Sequence, residues 1–388
     1  MIVHAYYPIG ETRVEREALA LVDAGIPVDV FCLQLKDQLP FESIDGVDIY
    51  RLPVQRKTSA GFASQFLEYM WFLIHVFFRL FSLYPRKKYQ TIQSHNLPDF
   101  LIFSAIIPKL FGARLILDIH DLMPEFFANK TKRSMSSFLV RLVIFQEQLS
   151  CRLADHVITV TDLWKERLIE RGVRKDKVSV VMNVADDRHF YPAEVRSNHR
   201  VSPDRINLIY HGTYKEHYGM KELIQSINLA RQVVPGVHLT LQGVGEYYGE
   251  MEKLVEELEL ADEVTINNFA IPVYDLPALI NQADMGVIPN RNDPFSGELL
   301  PTKMLEYIAL GKPVIAAKTR VISHYFDETM VQFFEPSDPE SLSEAIIYAC
   351  RHWEEIIEKT ENYHRFTSIY HWKSISRNYV ELIQSLAS

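Results

Sequence analysis

The chain has 388 residues, 47% hydrophobic and 23% charged. That is the balance of a soluble globular protein of two or three domains, and it excludes wholesale disorder, collagen and polytopic membrane proteins. The 41 Lys and Arg against 50 Asp and Glu give a net charge of −9, the wrong sign for a general nucleic-acid binder, whose phosphate partner demands a basic surface.

Met1 leads at once into Ile2–Tyr6, which reads as a strand rather than an export signal. The three scattered cysteines, Cys32, Cys151 and Cys350, form no CxxC pair and no disulfide framework. A reducing, cytoplasmic location is expected. Further strands are expected at Val28–Leu33, Val47–Leu52, Thr91–Ser94, Arg114–Asp118, His156–Thr159 and Val178–Met182, with helical periodicity between them. The segment from Tyr69 to Tyr84 is apolar almost all round, but Arg79 interrupts it and its unbroken run ends at His75. It reads as too short to span a bilayer, and as a helix whose body is buried against a sheet or lies on a membrane surface. The stretch from Arg56 to Arg133 holds 11 basic and 5 acidic residues, a local excess compatible with anionic lipid.

Periodicity fails between Asn183 and Arg205, where Pro, Asp and Ser accumulate as in a linker. A second strand–helix series follows, with strands expected at Ile206–His211, Val237–Gln242, Val264–Asn267, Met285–Ile288, Val314–Ala316 and Val331–Phe334. Alternating strands and helices in both halves predict an α/β protein. Two Rossmann-like domains are expected, over residues 1–190 and 205–371, facing each other across a cleft. Ligands in such sheets bind at the carboxyl ends of the strands. There the first half places His95-Asn96, Asp118-Ile-His120-Asp121 and Asn183, and the second His211-Gly212-Thr213, Gly243-Val-Gly245 and Pro289-Asn290-Arg291.

Within Gly297-Glu298-Leu299-Leu300-Pro301-Thr302-Lys303, through Glu306 to Gly311, the pattern is loop, helix and loop, with Pro301 suited to the first helical position and Gly311 to the C-cap. A lysine in a first turn opposes the helix dipole. Either an ion pair with Glu306 offsets it or a bound anion does. No GxxxxGK[ST] loop is present, which excludes a P-loop nucleotidase. His120 is a candidate for binding a sugar hydroxyl or assisting proton transfer, and Asp118-Ile-His120-Asp121 reads as strand-end polarity rather than a metal cage.

The order and spacing of these motifs resemble the GT-B glycosyltransferases of family 4. The carriers are Arg13-Val-Glu-Arg-Glu, His120-Asp121-Leu-Met-Pro-Glu, Ala154-Asp-His-Val-Ile and Asn183-Val-Ala-Asp in the first half. In the second they are His211-Gly-Thr, Gly219, Gly243-Val-Gly, Glu298-x7-Glu306 and Gly311-Lys-Pro-Val. Pro-Thr-Lys-x-x-Glu-Tyr resembles the bacterial surface-polysaccharide branch. The resemblance implies retaining transfer from a nucleotide diphosphate sugar to a glycan or lipid-linked acceptor, without cofactor or obligatory metal, in cell-surface polysaccharide synthesis. It assigns donor sugar hydroxyls to Glu298, ribose hydroxyls to Glu306, and the diphosphate to Thr302, Lys303 and the backbone of Leu299 and Leu300. His120 would lie near the transferred sugar, with Gly10, Arg13, His95, Asp121 and Asn183 on the acceptor side. Gly212, Thr213 and Gly243 would border the donor. The family's Gly-Arg-x5-Lys-Gly basic pair is missing, because Gly212-Thr213 and Tyr218-Gly219 stand in its place, so Lys303, Lys215, His217 or Arg291 would supply the charge. Only Gly10 stands where a glycine pair is usual, with Arg13 a candidate substitute. The last helix, about 372–388, is expected to cross back onto the first domain. Two alternatives to the transferase are a GT-B nucleotide-sugar epimerase and a catalytically silent sugar- or nucleotide-binding protein.

Overall fold

A computed structural model describes residues 1–9, 11–56, 61–191 and 204–387, without the side chains of Phe62 and Ala63. The chain divides into two units, Met1–Asn183 with Lys373–Ser388, and Val184–Trp372. The division falls slightly before the expected boundary at 190, and most of the expected linker, residues 192–203, lies outside the described residues.

In the first unit α1 (Thr12–Asp23) precedes β1 (Val28–Leu33), β2 (Phe41–Ile44) and β3 (Val47–Leu52). Then come α2 (Phe62–Lys87), β4 (Thr91–His95), α3 (Ile106–Leu110), β5 (Arg114–Ile119), α4 (Met123–Thr131), α5 (Phe138–Leu153), β6 (His156–Thr159), α6 (Asp162–Glu170) and β7 (Val178–Val180). The strands run in the order β2-β3-β1 and β4-β5-β6-β7. The expected strand at Ile2–Tyr6 is reduced to a bridging segment between the two groups: Ile2 N–H donates to Gln93 at 2.8 Å and Val3 N–H to Phe31 at 3.0 Å. Sequence patterning missed β2, which pairs antiparallel with β3. Its turn is Asp45-Gly46, both at positive φ, the backbone that a two-residue hairpin demands.

β1 is buried along its whole length, as a parallel strand covered on both faces must be. Val28, Val30 and Cys32 face α1, through Val14, Ala18 and Leu21. The opposite face carries Phe31 and Tyr50, over which Arg79 of α2 lies at 5.2 Å. α2 corrects two expectations. It runs for 26 residues, about 39 Å at 1.5 Å per residue, so by length and composition it is long and apolar enough to cross a bilayer. Its body is not buried on all sides either: Phe72, Val76 and Leu80 pack inward, while Leu67, Trp71, Phe78 and Phe81 are exposed.

The second unit is a six-stranded parallel sheet in the order β10-β9-β8-β11-β12-β13. Its strands are β8 (Arg205–Thr213), β9 (Gly236–Val244), β10 (Val264–Asn268), β11 (Met285–Ile288), β12 (Val314–Ala317) and β13 (Gln332–Phe334). Between them run α7 (Met220–Ala230), α8 (Tyr248–Glu257), α9 (Leu276–Gln282), α10 (Thr302–Ala309) and α11 (Arg320–Tyr325). α12 (Pro339–Arg351), α13 (Trp353–Glu361) and α14 (His364–Thr367) follow. Part of the core is an apolar cluster built on Leu208, Tyr210, Leu239, Leu241 and Val287; Ile209, Ile288, Tyr307 and Ala316 are buried outside it. Chain direction across the sheet reverses between β8 and β11, so their carboxyl ends form the switch point where α/β sheets take ligands. The last helix, α15 (Trp372–Ala387), returns to the first unit, where Tyr379 and Ile383 join the α1 core.

Candidate active site

At the switch point of the second unit β8 ends in His211-Gly212-Thr213. Gly212 has φ 122, and a Cβ there would stand 3.1 Å from Lys303 Cε and 3.3 Å from Nζ. A Cβ on Gly243 would fall 1.8 Å from the carbonyl oxygen of Gly212, so only glycine lets these two strand ends close up. The lysine thus lies directly against the β8 turn. Its ammonium donates to Tyr210 Oη at 2.8 Å and sits 4.2 Å from the Tyr210 ring centre and 4.7 Å from that of Tyr218. Burial lowers its pKa to about 7, although Glu306 pulls the other way.

Among the described residues no ion pair joins Lys303 to Glu306, so the local-pair explanation of the first-turn lysine fails. Glu306 instead bonds His211, Oε2 to Nε2 at 2.6 Å. Since a carboxylate only accepts, Nε2 carries the proton. The other ring nitrogen meets Tyr307 Oη at 3.0 Å. Pro301 is the N-cap of α10 rather than its first helical residue, and Thr302 opens the helix, where first-turn N–H groups have no intrahelical partner. Leu299 N–H is 3.3 Å from the Ser296 carbonyl, and Leu300 is half-buried beside it. Glu298 closes the turn Ser296–Glu298, with Arg320 3.7 Å away. Asp293, which no sequence motif marks, holds this turn by accepting from the Phe295 and Ser296 N–H groups, both at 2.8 Å.

Thr213 is exposed and Lys215 half-buried at the same edge. Arg291 is a correction. Its guanidinium is held by Glu222 at 2.9 Å and Glu216 at 3.2 Å, two carboxylates that neutralise it before any diphosphate arrives. Glu216 and Glu222 sit on separate elements from Arg291, which sequence spacing does not bring together.

In the first unit the strand ends are occupied differently. Arg13 Nε and Nη2 clamp both oxygens of Asp118 at 2.8 and 2.9 Å, and Nη1 donates to the Val181 carbonyl at 2.8 Å. Glu17 adds a contact to Arg13 at 3.1 Å. Burial would raise the Asp118 pKa, but the guanidinium and the flanking histidines outweigh it and hold the carboxyl well below its usual range. His95, fully buried, meets Asp118 through Nδ1 at 2.9 Å, and burial lowers its pKa to about 4. Arg13 and His95 are therefore interior braces rather than ligand-facing groups, which corrects both assignments. Asn183 accepts from Arg16 at 2.5 Å, and Gly10 lies outside the described residues.

His120 stands apart from these braces. Its ring is 21% exposed, with Nδ1 3.9 Å from Asp118, too long for a hydrogen bond. Burial works against its charged form, yet the Asp118 and Asp121 carboxylates prevail and raise its pKa. Asn96 orients this loop: its Oδ1 accepts from His120 and Asp121 N–H at 3.0 and 3.2 Å, and its Nδ2 donates to the Asp121 carbonyl at 2.6 Å. His95, Asp118 and His120 bring potential metal-ligand atoms within 4.8 Å of one another. Both oxygens of their only carboxylate are already on Arg13, so a cation there would have to break the clamp.

Residues 10–183 match the "Glycosyl transferase 4-like domain" and residues 193–366 match "Glycosyl transferases group 1". The chain belongs to the GT-B glycosyltransferases of family 4. It is similar to chitobiosyldiphosphodolichol beta-mannosyltransferase of Kluyveromyces lactis, 23% identical over 359 residues that cover 86% of this chain and 76% of that one. Sucrose-phosphate synthase of Thermosynechococcus elongatus shares the fold with a TM-score of 0.80 at 20% identity, over 99% of this chain and 95% of that one. Anabaena HepE in complex with UDP-glucose does so with a TM-score of 0.71 at 17% identity, over 99% and 98%. This family-4 transferase thus places its two glutamates, Glu298 and Glu306, on either side of the α10 N-terminus.

Proposed function

We propose that this glycosyltransferase moves a sugar, with retention of configuration, from a nucleotide diphosphate sugar to a glycan or lipid-linked acceptor in cell-surface polysaccharide synthesis. It works at the inner face of the cell membrane, attached through α2. The observation that carries the donor reading is Lys303: a cation at a helix start, against the Gly212 backbone, held by tyrosines rather than by a carboxylate. A diphosphate brought to it would restore the proton that burial disfavours and gain compensation as leaving-group charge develops. Thr302 and Leu300 supply backbone to the same group, Leu299 joining them only by giving up its bond to the Ser296 carbonyl, Lys215 adds a second cation at the rim, and Thr213 and Gly243 border the site.

His211 fixes one oxygen of Glu306 and so aims the other at the ribose hydroxyls. Glu298 takes the hydroxyls of the donor sugar. The first unit contributes His120, whose raised pKa suits it to donate to a sugar hydroxyl, with Asp121 on the acceptor side. No step calls for a bound cation. The UDP-glucose held by HepE and the diphosphodolichol in the name of the Kluyveromyces relative agree with a sugar nucleotide donor and a lipid-linked acceptor.

The test is a donor panel of UDP-, GDP- and ADP-sugars, with and without a polyprenyl-linked acceptor and with and without EDTA, the product anomer being read by NMR. An α-linked product from an α donor, formed in EDTA, is expected. A β-linked product overturns retention, and loss of transfer in EDTA that manganese restores overturns metal independence. Conversion of donor alone to an epimer overturns the transfer reading.

A further inference from the structure

The crossovers from β3 through α2, β4 through α3 and β5 through α5 all advance in one direction across the sheet. Right-handed connections therefore lay these helices on one face, while α1 and α15 cover the other. α2 and α5 both pack on the turn Asp99–Ala105. Along α2 the exposed residues Leu67, Trp71, Ile74, Phe78 and Phe81 recur at spacings of four and three, a single outward stripe. α5 repeats the pattern with Phe138, Leu142, Phe145 and Leu149. Between the helices, Leu110 and Phe111 at the end of α3 are each 74% exposed. Apolar groups gathered in this way mark an interaction surface.

Charge selects the occupant. Between Ser64 and Asp155 the chain has eleven basic residues, none of them buried, and seven acidic ones, of which Glu68, Asp99, Asp118, Glu125 and Glu147 are buried. Of the other two, Asp155 is paired with Lys109 at 2.7 Å and Asp121 is half-buried in the His120 loop. Burial of the carboxylates thus leaves the exposed charge of this stretch mainly basic, although Lys87 is paired with Asp29 and Asp48 and Lys109 with Asp155. A second copy of the same face would repel it, whereas anionic lipid headgroups complement it and acyl chains accept the stripes.

We propose that α2 and α5 together form one docking face for an anionic bilayer, lying in its interface with the α3 end between them. This rests on the membrane attachment proposed above and extends it from one helix to two. α2 lies flat rather than crossing: Phe72, Val76 and Leu80 are buried inward, and Lys87 is held by Asp29 and Asp48 at 3.1 Å each. A crossing helix would lose all of these.

Full-length protein is sedimented with phosphatidylcholine vesicles with and without phosphatidylglycerol, comparing Leu142→Glu/Phe145→Glu in α5 with Trp71→Glu/Phe78→Glu in α2. Each pair is expected to weaken partition into anionic vesicles by about tenfold or more, from lost apolar burial. In a separate Phe145→Trp variant, the added indole fluorescence is expected to be quenched by brominated lipid. If only the α2 pair weakens binding and the added indole of Phe145→Trp is not quenched, the two-helix face is wrong and single-helix attachment stands. If neither pair matters, both readings fall. A concentration-dependent dimer in analytical ultracentrifugation that the α5 pair abolishes would make this face an interface between copies and overturn the proposal.

Discussion

Two clusters of charge sit at strand ends, one in each unit, and they resolve their electrostatics in opposite ways. In the first unit Arg13 clamps Asp118 and lies 3.1 Å from Glu17, whose pKa burial raises to about 7, and His95, its pKa lowered to about 4 by burial, stays neutral; only Glu17 Oε1 and His95 Nε2 among these groups lack a hydrogen-bond partner. Tyr379 extends the network through Gln93 at 2.7 Å and ties in α15. In the second unit Glu306 is taken by His211, and Lys303 is left with hydroxyl and ring partners. A cation paired with buried carboxylates braces a fold, whereas a cation set among neutral partners is poised to take an anion.

The largest effect should come from breaking the Arg13 clamp. Arg13→Met leaves Asp118 buried without its guanidinium and should cost about 3–5 kcal/mol of stability, as broken buried pairs do. Urea unfolding measures it. A loss confined to activity, with stability unchanged, would return Arg13 to the ligand-facing role that the structure denies it.

Lys303→Met tests the other side of the comparison. Transfer should fall by about 10²–10³, as for loss of a group that stabilises developing charge, while the unfolding midpoint holds or rises because a poorly paired buried cation has gone. Arg291→Met should do much less to kcat, its charge being balanced by Glu216 and Glu222. Equal losses in the two variants would remove the distinction between paired and unpaired cations.

His211→Gln should raise the donor KM by about tenfold, one pKa-unit's worth of energy, with kcat little changed, because His211 aims Glu306 rather than touching the reacting bond. A fall in thermal stability with donor KM unaltered would make it structural only.

The smallest effect is on pH. Burial lowers the Lys303 pKa to about 7, so the free enzyme holds the lysine charged below that value and neutral above it. Donor affinity should therefore decline as pH rises through about 7, a dependence that Lys303→Met abolishes. Stability runs the other way: with the folded pKa below the unfolded one, this lysine makes stability rise with pH from about 7 toward 10.5. Isothermal titration of the nucleoside diphosphate from pH 6 to 9 gives the first sign and urea unfolding the second.

The sequence by itself determined the strand–helix alternation, nearly all of the parallel strands, the end of α10 at a left-handed Gly311, one position past the Leu310 C-cap, and the motif order that carries the family, because these depend on local periodicity and on residues a few positions apart. It located His120, Glu298, Lys303 and Glu306 at strand ends and at one helix start for the same reason. Tertiary structure alone decided which charges meet. The pairs Arg13 with Asp118, Arg291 with Glu216 and Glu222, and His211 with Glu306 join residues 69 to 105 positions apart, and no local pattern encodes such distances. It also decided what α2 is. An all-round apolar helix satisfies a buried site and a membrane surface equally well in composition, and only packing shows that its Phe72 side meets the sheet while its Trp71 side is exposed.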